Sequence, residues 1–332
     1  MSKRVTIVMY HYVRDLGASR YPAIKGLDLA KFRGQLDYIL SHYSVITMEE
    51  LLAAARGGRA LPANALLLTF DDGYADHYQN VFPLLRAKGL QGSFFPPAKA
   101  ILNHAVLDVN KIHFVLASVP KAELLVQEIF AMTDEARGRY GLEDNALYYE
   151  RFAKPSRFDR AEVIFIKRML QCELPEALRN VIVDRLFQKY VSADEPAFAQ
   201  ELYMSLDQLR SMKKSGMHIG SHGFDHYWMD SLDPEAQLKQ VLLSKDFLSQ
   251  IGCGAGPWAM CYPYGVHNAS LLGILRDQGC ALGLTTEVDV ADLERDDALT
   301  LPRLDTNDLP CDKTAAPNAW TLKVVPGARR PA

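Results

Sequence analysis

The sequence predicts an α/β fold of parallel strands that is interrupted by a long helical segment. In the first hundred residues, short apolar runs of strand length alternate with segments whose apolar residues are spaced three and four apart. This alternation is typical of parallel strands joined by crossover helices. From about residue 104 to 203 the periodicity is helical throughout, and the strand pattern returns at residue 217. A chain of 332 residues is long for one domain but common for a barrel with an insertion.

The first hundred residues contain three predicted strands and three predicted helices. The strands lie at 5–10, 66–70 and 92–95. The helices lie from 28 onward, at 48–55 and at 80–88. Asp28 and Thr47 are suitable N-caps for the first two helices, and Gly89 is a suitable C-terminal stop for the third.

The middle of the chain reads as a helical insertion. Its apolar spacing predicts helices at 108–117, 121–132, 159–171 and 175–190. Some 100 residues without a strand signal do not continue a barrel, so we expect a barrel domain at 1–103 and 205–310 and an insertion at 104–204. The tail at 311–332 is rich in Pro, Ala and Lys, and we expect it to be poorly ordered.

Strand patterns resume in the last third of the chain. They predict strands at 217–221, 258–262, 281–284 and 298–301. Between the first two of these, residues 233–249 form a clear helical pattern with Pro234 in its first turn.

Bulk properties exclude several classes of function. The net charge of −3 gives no reason to expect a nucleic-acid partner or attraction to an anionic membrane surface. No apolar run reaches the roughly 18 residues of a membrane-spanning helix, and the apolar segment near the N-terminus is too short for a secretory signal. The five cysteines are odd in number, and their spacing fits neither a zinc ribbon nor a disulfide framework. We therefore expect a cytoplasmic protein.

Two adjacent acids, Asp71 and Asp72, stand at the end of the second predicted strand. The segment reads Thr69-Phe70-Asp71-Asp72-Gly73. By itself such a segment is most often a turn, because Asp and Gly are common turn residues. Neighbouring carboxylates repel each other, however, so one of them has to be neutralised by a proton, a cation or a metal.

Two histidines four residues apart follow the strand predicted at 217–221. The segment reads Ser221-His222-Gly223-Phe224-Asp225-His226. Active sites of parallel α/β folds form at the carboxyl ends of strands, where Asp71 and Asp72 also stand. The four side chains together predict a metal site. Two His and one carboxylate leave coordination positions open, so one acid could bind the metal while the other accepts a proton from bound water.

A third segment follows the strand predicted at 258–262 and reads Tyr262-Pro263-Tyr264-Gly265. Proline fixes the turn, and glycine permits an unusual backbone angle. A backbone N–H of this turn can point into the site and stabilise an oxyanion. Alone, Pro-Tyr-Gly is usually just a turn, so this segment supports the site without defining it.

In order and strand context, the three segments resemble the polysaccharide deacetylases of carbohydrate esterase family four, which contain a NodB-homology-type domain. The resemblance covers residues 1–103 and 205–310. It implies a distorted (β/α) barrel of about seven parallel strands with a large α-helical insertion. It also implies a hydrolase that removes an N-acetyl group from an amino sugar with the help of one divalent metal ion, most often Zn²⁺.

The resemblance also implies the role of each site residue. By motif position, Asp71 is the base. Asp72, His222 and His226 hold the metal. The backbone of Tyr264 helps to bind the oxyanion.

Two departures from the family pattern leave roles open. The family's third motif begins with an Arg that pairs with the catalytic Asp, but Cys261 stands there, and Arg303 could supply the charge instead. The late Leu-x-x-His that provides the general acid has no match. His11, at the end of the first strand, and His267, after the Pro-Tyr-Gly turn, are the available substitutes, and a structural role for each is equally open. The N-terminal Tyr-His resembles the branch of the family that acts on exopolysaccharides.

The leading hypothesis is therefore an N-deacetylase of surface-polysaccharide biosynthesis (lipopolysaccharide O-antigen, capsule or exopolysaccharide). A cytoplasmic enzyme would act on an acetylated amino sugar that is nucleotide-, lipid- or polysaccharide-linked. One alternative is a catalytically impaired member that binds carbohydrate or acts as a scaffold, which the missing Leu-x-x-His and Cys261 favour. Another alternative is an amidase for a different acyl group.

Overall fold

The structure is a computed structural model that describes residues 3–58, 60–156 and 159–324. The chain divides into two compact units. The first comprises Met1–Asp15, Gly26–Ala105 and Ala199–Ala332, and the second comprises Leu16–Lys25 and Val106–Phe198. The second unit thus includes a short N-terminal segment in addition to most of the residues expected at 104–204. The assignment of that block as an insertion stays a prediction.

Eleven short strands lie in the described part of the chain, all within the first unit. They are β1 (Arg4–Tyr10), β2 (Val13–Arg14), β3 (Leu27–Asp28), β4 (Ser44–Val45), β5 (Ala65–Asp71), β6 (Ser93–Phe95), β7 (His218–Ile219), β8 (Trp258–Cys261), β9 (Cys280–Leu284), β10 (Ala291–Asp292) and β11 (Leu304–Asp305).

The main sheet has seven strands with the central order β10-β1-β5-β6-β7, while β11 also pairs with β1 and β4 with β5. All of these pairs are parallel except β1 with β10. The antiparallel strand β10 is not one of the strands predicted from the sequence. Two further parallel pairs, β2–β3 and β8–β9, stand outside this sheet. The fold class is α/β with a mainly parallel sheet.

One isolated parallel bridge connects the main sheet to the β8–β9 pair, and a second joins β9 to a residue outside the strands. Ser221, just after β7, bridges Met260 of β8, and Leu284 of β9 bridges Leu301. Residues 298–301 were expected to form a strand, but only Leu301 makes a bridge. The cause is Asp297, whose side-chain and backbone oxygens accept N–H groups from the next residues and turn the chain.

The hydrophobic core of the first unit lies along one face of several strands. Alternate residues of β1, β5, β8 and β9 belong to one buried cluster, which also includes Met48 and Leu51. Every residue of β5 is buried, so this strand is covered on both faces, as the uninterrupted apolar run at 65–68 predicts. The carboxyl end of β5, where Asp71 stands, is therefore enclosed by packed residues.

Helices flank the strands in the first unit and make up the second. In chain order they are α1 (Leu29–His42), α2 (Met48–Ala55), α3 (Phe82–Ala87), α4 (Ala98–Leu102), α5 (Asp108–Ser118), α6 (Ala122–Tyr140), α7 (Asn145–Phe152), α8 (Ala161–Arg168), α9 (Glu176–Tyr190), α10 (Glu195–Leu202), α11 (Leu206–Lys214), α12 (Pro234–Gln250), α13 (Ala269–Asp277) and α14 (Ala319–Val324).

The N-caps predicted for the first two helices are present in the structure. Asp28 accepts the N–H of Ala30 at the start of α1, and Thr47 forms a capping box with Glu50 at α2. The helix expected at 80–88 instead begins with a wide turn at His77–Val81 and continues as α3.

Part of the tail expected to be poorly ordered is helical. Thr321 of α14 is fully buried, and its hydroxyl pairs with the hydroxyls of Tyr38 and Tyr43. These hydrogen bonds attach the segment to α1, which the composition of the tail does not reveal. Residues 325–332 lie outside the described residues.

No helix among the described residues has both the length and the apolarity required to cross a membrane.

Candidate metal and catalytic site

The two acids lie where β5 ends in a left-handed turn. Asp71 is the last residue of the strand, and Asp72 and Gly73 follow with φ of 68° and 67°. A positive φ is unfavourable for Asp, and a Cβ on Gly73 would come within 2.6 Å of Pro96. This turn separates the directions of the two carboxylates, so that they meet different partners.

The two histidines lie on the loop after β7, beside the end of β8. The backbone of Ser221 exchanges hydrogen bonds with Ala259 and Cys261, which joins the two strand ends. The ring of His222 donates Nδ1–H to the carbonyl oxygen of Cys261 at 2.7 Å, so its Nε2 is left as the ligand atom. His226 has a φ of 61°, a second strained residue of the same site.

The loop between the two histidines is held from outside. Asp225 forms an ion pair with Lys99 at 2.8 Å. It also exchanges two hydrogen bonds with Gln240 of α12, at 2.9 and 2.6 Å. These contacts fix the backbone that carries His226.

Asp72, His222 and His226 form a compact group of ligand atoms. Oδ1 of Asp72 lies 3.3 Å from Nε2 of each histidine, and the three ligand atoms lie within 4.8 Å of one another. All three side chains are buried, and Oδ1 has no hydrogen-bond partner among the described residues. An orphaned buried carboxylate oxygen facing two imidazoles fits a metal ion, and this donor set is one that Zn²⁺ uses in catalytic sites.

The charges around Asp72 keep it ionised. Burial by itself would raise the pKa of Asp72, but the imidazoles of His222 and His226 beside it hold the pKa well below its ordinary value. Asp72 is therefore a carboxylate and not a neutral acid.

Asp71 forms a buried ion pair with Arg303. The guanidinium approaches both carboxylate oxygens, with Nη1 3.0 Å from Oδ1 and Nη2 2.8 Å from Oδ2. Their side chains are 2% and 0% exposed. Arg303 is itself oriented by the carbonyl oxygen of Thr285, which accepts its Nε–H at 2.8 Å. The structure thus places Arg303 at the position that the sequence left open.

The charges around Asp71 determine its protonation. Burial favours the neutral acid, but Arg303, together with His222 and His11, outweighs burial and lowers the pKa of Asp71 to about 2. The Sγ of Cys261 also lies 3.2 Å from Oδ2 of Asp71, so the residue that replaces the family's Arg still contacts the acid. Asp71 is ionised at neutral pH.

Tyr264 lies in a tight turn next to His226. The turn Pro263–Gly265 is a single 3₁₀ turn, within which Tyr264 has a φ of 58°. Its ring contacts the ring of His226 edge-on at 4.9 Å and stacks on Trp228 at 4.3 Å. The backbone of the turn is thereby fixed beside His226.

The two candidate acids occupy different surroundings. His11 follows β1, its carbonyl oxygen accepts a hydrogen bond from His77, and its charge acts on Asp71 and Asp72. The ring of His267 lies 5.4 Å from that of Tyr262. His11 therefore lies close enough to both acids to act on them electrostatically.

Sequence reasoning missed one contact of Asp72. Tyr74 is fully buried and donates its hydroxyl hydrogen to Oδ2 of Asp72. An aromatic residue just after a turn reads as ordinary core, so the only available signal was its position two residues after Asp72.

Comparisons with known proteins agree with the three motifs. The sequence model of the family described as polysaccharide deacetylase matches residues 58–130 and 184–283. The poly-beta-1,6-N-acetyl-D-glucosamine N-deacetylase of Escherichia coli K12 is 34% identical over 82 residues, which are 24% of this chain and 12% of that protein. The putative polysaccharide deacetylase YxkH of Bacillus subtilis is 26% identical over 99 residues, 30% of this chain and 33% of that protein. The chain thus covers a third or less of these relatives.

Solved structures show a similar fold over nearly the whole chain. The Streptococcus pyogenes deacetylase PplD, in complex with acetate, superposes with a TM-score of 0.56 at 17% identity, covering 92% of this chain and 93% of that one. IcaB from Ammonifex degensii superposes with a TM-score of 0.53 at 20% identity, covering 91% of each chain. The family match spans more than half of the sequence and includes all three motifs. This chain belongs to the polysaccharide deacetylase family.

Proposed function

We propose that this protein is a metal-dependent hydrolase that removes the N-acetyl group from an amino sugar. The observation that carries this proposal is the orphaned Oδ1 of Asp72, 3.3 Å from the Nε2 atoms of His222 and His226 and one residue from the ionised Asp71. A donor set with open coordination positions beside a separate base suits hydrolysis of an amide.

Asp72, His222 and His226 would hold one divalent ion, with Zn²⁺ the best match to two imidazoles and a carboxylate. When bound, such an ion polarises an amide carbonyl and lowers the pKa of a water molecule. The hydrogen bond from His222 to the carbonyl oxygen of Cys261 orients the ring for this purpose.

Asp71 would accept the proton of the attacking water. It is ionised, and the bidentate contact with Arg303 holds its carboxylate in one orientation. A carboxylate offers about four lone-pair sites, so the contacts with Arg303 and Cys261 leave room for a water.

The backbone N–H of Tyr264 would stabilise the oxyanion that develops on the acetyl group. Its left-handed turn is rigid, since two aromatic rings pack on Tyr264. Donors held in place before the reaction need no reorganisation as charge develops.

His11 would protonate the leaving amine. It interacts electrostatically with both acids, whereas the described contact of His267 is with Tyr262. The hydrogen bond that His77 donates to the backbone of His11 holds the end of β1 near the site. His11 thus takes the place of the missing Leu-x-x-His.

The proposed substrate is an acetylated amino sugar of a surface-polysaccharide pathway. The relative from Escherichia coli is named for poly-beta-1,6-N-acetyl-D-glucosamine, which supports an N-acetylglucosamine unit. A nucleotide- or lipid-linked precursor and a cytoplasmic location remain part of the proposal, and cell fractionation tests the location.

A distorted barrel is also proposed for the first unit. Three observations support it. The isolated bridge Ser221–Met260 joins the main sheet to the β8–β9 pair, the bridge Leu284–Leu301 extends that pair, and β1, β5, β8 and β9 share one buried face.

The test is acetate release from a panel of acetylated nucleotide sugars, lipid-linked sugars and β-1,6-linked oligosaccharides. We expect one member of the panel to release acetate and gain a free amine in equal amounts. Asp71→Asn serves as the matched control, because it keeps the shape of the side chain but removes the base. Full turnover by this variant would contradict the assigned role of Asp71, and the absence of release from every member would contradict the proposed substrate class.

A further inference from the structure

We propose that Tyr74 is a positioning residue that holds Asp72 so that only one carboxylate oxygen, Oδ1, is available to the metal. The inference rests on the proposed metal centre and adds a residue that its ligand set does not include. The observation behind it is that only one of the two carboxylate oxygens of Asp72 has a hydrogen-bond donor.

The two oxygens of Asp72 face different surroundings. Oδ2 accepts the hydroxyl hydrogen of Tyr74. Oδ1 faces both imidazoles at 3.3 Å and has no hydrogen-bond partner among the described residues. A carboxylate can bind a metal through one oxygen or two, and a hydrogen bond on one oxygen favours binding through the other. Tyr74 therefore favours a single bond between Asp72 and the ion.

Tyr74 is itself held firmly. Its ring lies between two others, stacked on Tyr12 with centroids 4.0 Å apart and nearly parallel to Tyr203 at 6.1 Å. The backbone is fixed as well, because Tyr74 forms a bridge with Tyr203 and the carbonyl oxygen of Gly73 accepts the N–H of Met204. A hydroxyl carried by such a fixed ring keeps its direction before a metal arrives.

The strained turn makes this support necessary. Asp72 is held at a φ of 68°, outside the regions that Asp prefers. Rotation of its side chain would turn Oδ2 toward the histidines and change the ligand geometry. The hydrogen bond from Tyr74 opposes that rotation, and partners of metal ligands commonly contribute about ten- to a hundredfold in metal affinity.

The experiment measures Zn²⁺ affinity by competition with a chromophoric chelator, for the full chain and for Tyr74→Phe. We expect the variant to bind Zn²⁺ about ten- to a hundredfold more weakly. The matched control is Tyr38→Phe, which also removes a buried hydroxyl, but one that pairs with Thr321. We expect the control to keep the wild-type affinity. Equal affinity of Tyr74→Phe and wild type would overturn the proposal.

Two further measurements separate a positioning role from a merely structural one. The melting temperatures of the two metal-free variants should fall by similar amounts, so a selective loss of affinity cannot come from general destabilisation. A crystal structure of the Zn²⁺-bound wild type should show Asp72 bound through Oδ1 alone, and a bidentate Asp72 would overturn the proposal even if Tyr74→Phe did not fold. Wild-type protein that binds no Zn²⁺ would contradict the metal centre itself, which is a distinct outcome.

Discussion

Replacement of Arg303 by Met tests the buried ion pair at the centre of the proposed site. Both side chains are almost inaccessible to solvent, with 0% and 2% exposed, and two contacts of 2.8 and 3.0 Å join them. Arg303→Met would leave the Asp71 carboxylate buried without its main counter-charge. Removal of one partner from a buried pair costs about 3–5 kcal/mol in the free energy of unfolding, a large share of the roughly 5–15 kcal/mol that stabilises a protein.

Urea unfolding of the metal-free protein measures this cost. The matched control is Arg4→Met, because Arg4 pairs with Asp292 at 3.5 Å but has a 51% exposed side chain. We expect the control to lose less than about 1 kcal/mol. The double variant Asp71→Asn/Arg303→Met removes both charges and should recover much of the stability lost by Arg303→Met alone. A loss below about 1 kcal/mol for Arg303→Met would refute the reasoning.

The same variant has a pH signature of defined sign. The folded-state pKa of Asp71 is about 2, below its ordinary value, because the charges beside it, chiefly that of Arg303, together outweigh burial. The stability that the pair contributes is therefore present above about pH 4 and is lost as the pH falls through about 2. Loss of Arg303 raises the pKa of Asp71, so the acidic limb of the residual kcat/KM should move to higher pH. An unmoved limb would contradict Asp71 as the base.

Three other predictions follow from the site. A chelator should lower the melting temperature of the purified metal-bound protein but not that of His226→Ala. At a free-metal concentration about 1,000 times Kd, bound metal adds about 4 kcal/mol to the free energy of unfolding, and the chelator removes this contribution. His11→Gln should lower kcat by about a hundredfold or more, while His267→Gln should stay within a few-fold of wild type in an acetate-release assay. Gly265→Ala should destabilise the protein by more than about 1 kcal/mol in urea unfolding, because its φ is 76° and a Cβ would lie 2.1 Å from Oγ1 of Thr286.

The parts of the fold that depend on local chemistry could be predicted from the sequence. Thr47 with Glu50 forms a capping box, and the apolar run before Asp71 is a buried strand, because neighbouring residues suffice to specify each of them. The expected strand at 298–301 was wrong because Asp297 turns the backbone, a competition that apolar periodicity does not register.

The same distinction between local and distant contacts applies to the site. The pairing of Asp72 with two histidines could be anticipated, since each stands directly after a predicted strand. Arg303 could be named as a candidate partner of Asp71, but its contact with the acid could not be derived, because 232 residues separate the two and only strand pairing brings them together. Tyr74 escaped notice for a related reason: its hydroxyl contacts Asp72 only because the turn at 72–73 is left-handed.

The metal content of the purified protein tests the central claim most directly. Elemental analysis should find about one divalent ion per chain in the wild type and in Asp71→Asn, and none in His222→Ala, because the first two retain all three ligands. A wild-type protein that remains metal-free after incubation with Zn²⁺, or a His222→Ala variant that retains a full equivalent, would contradict the account.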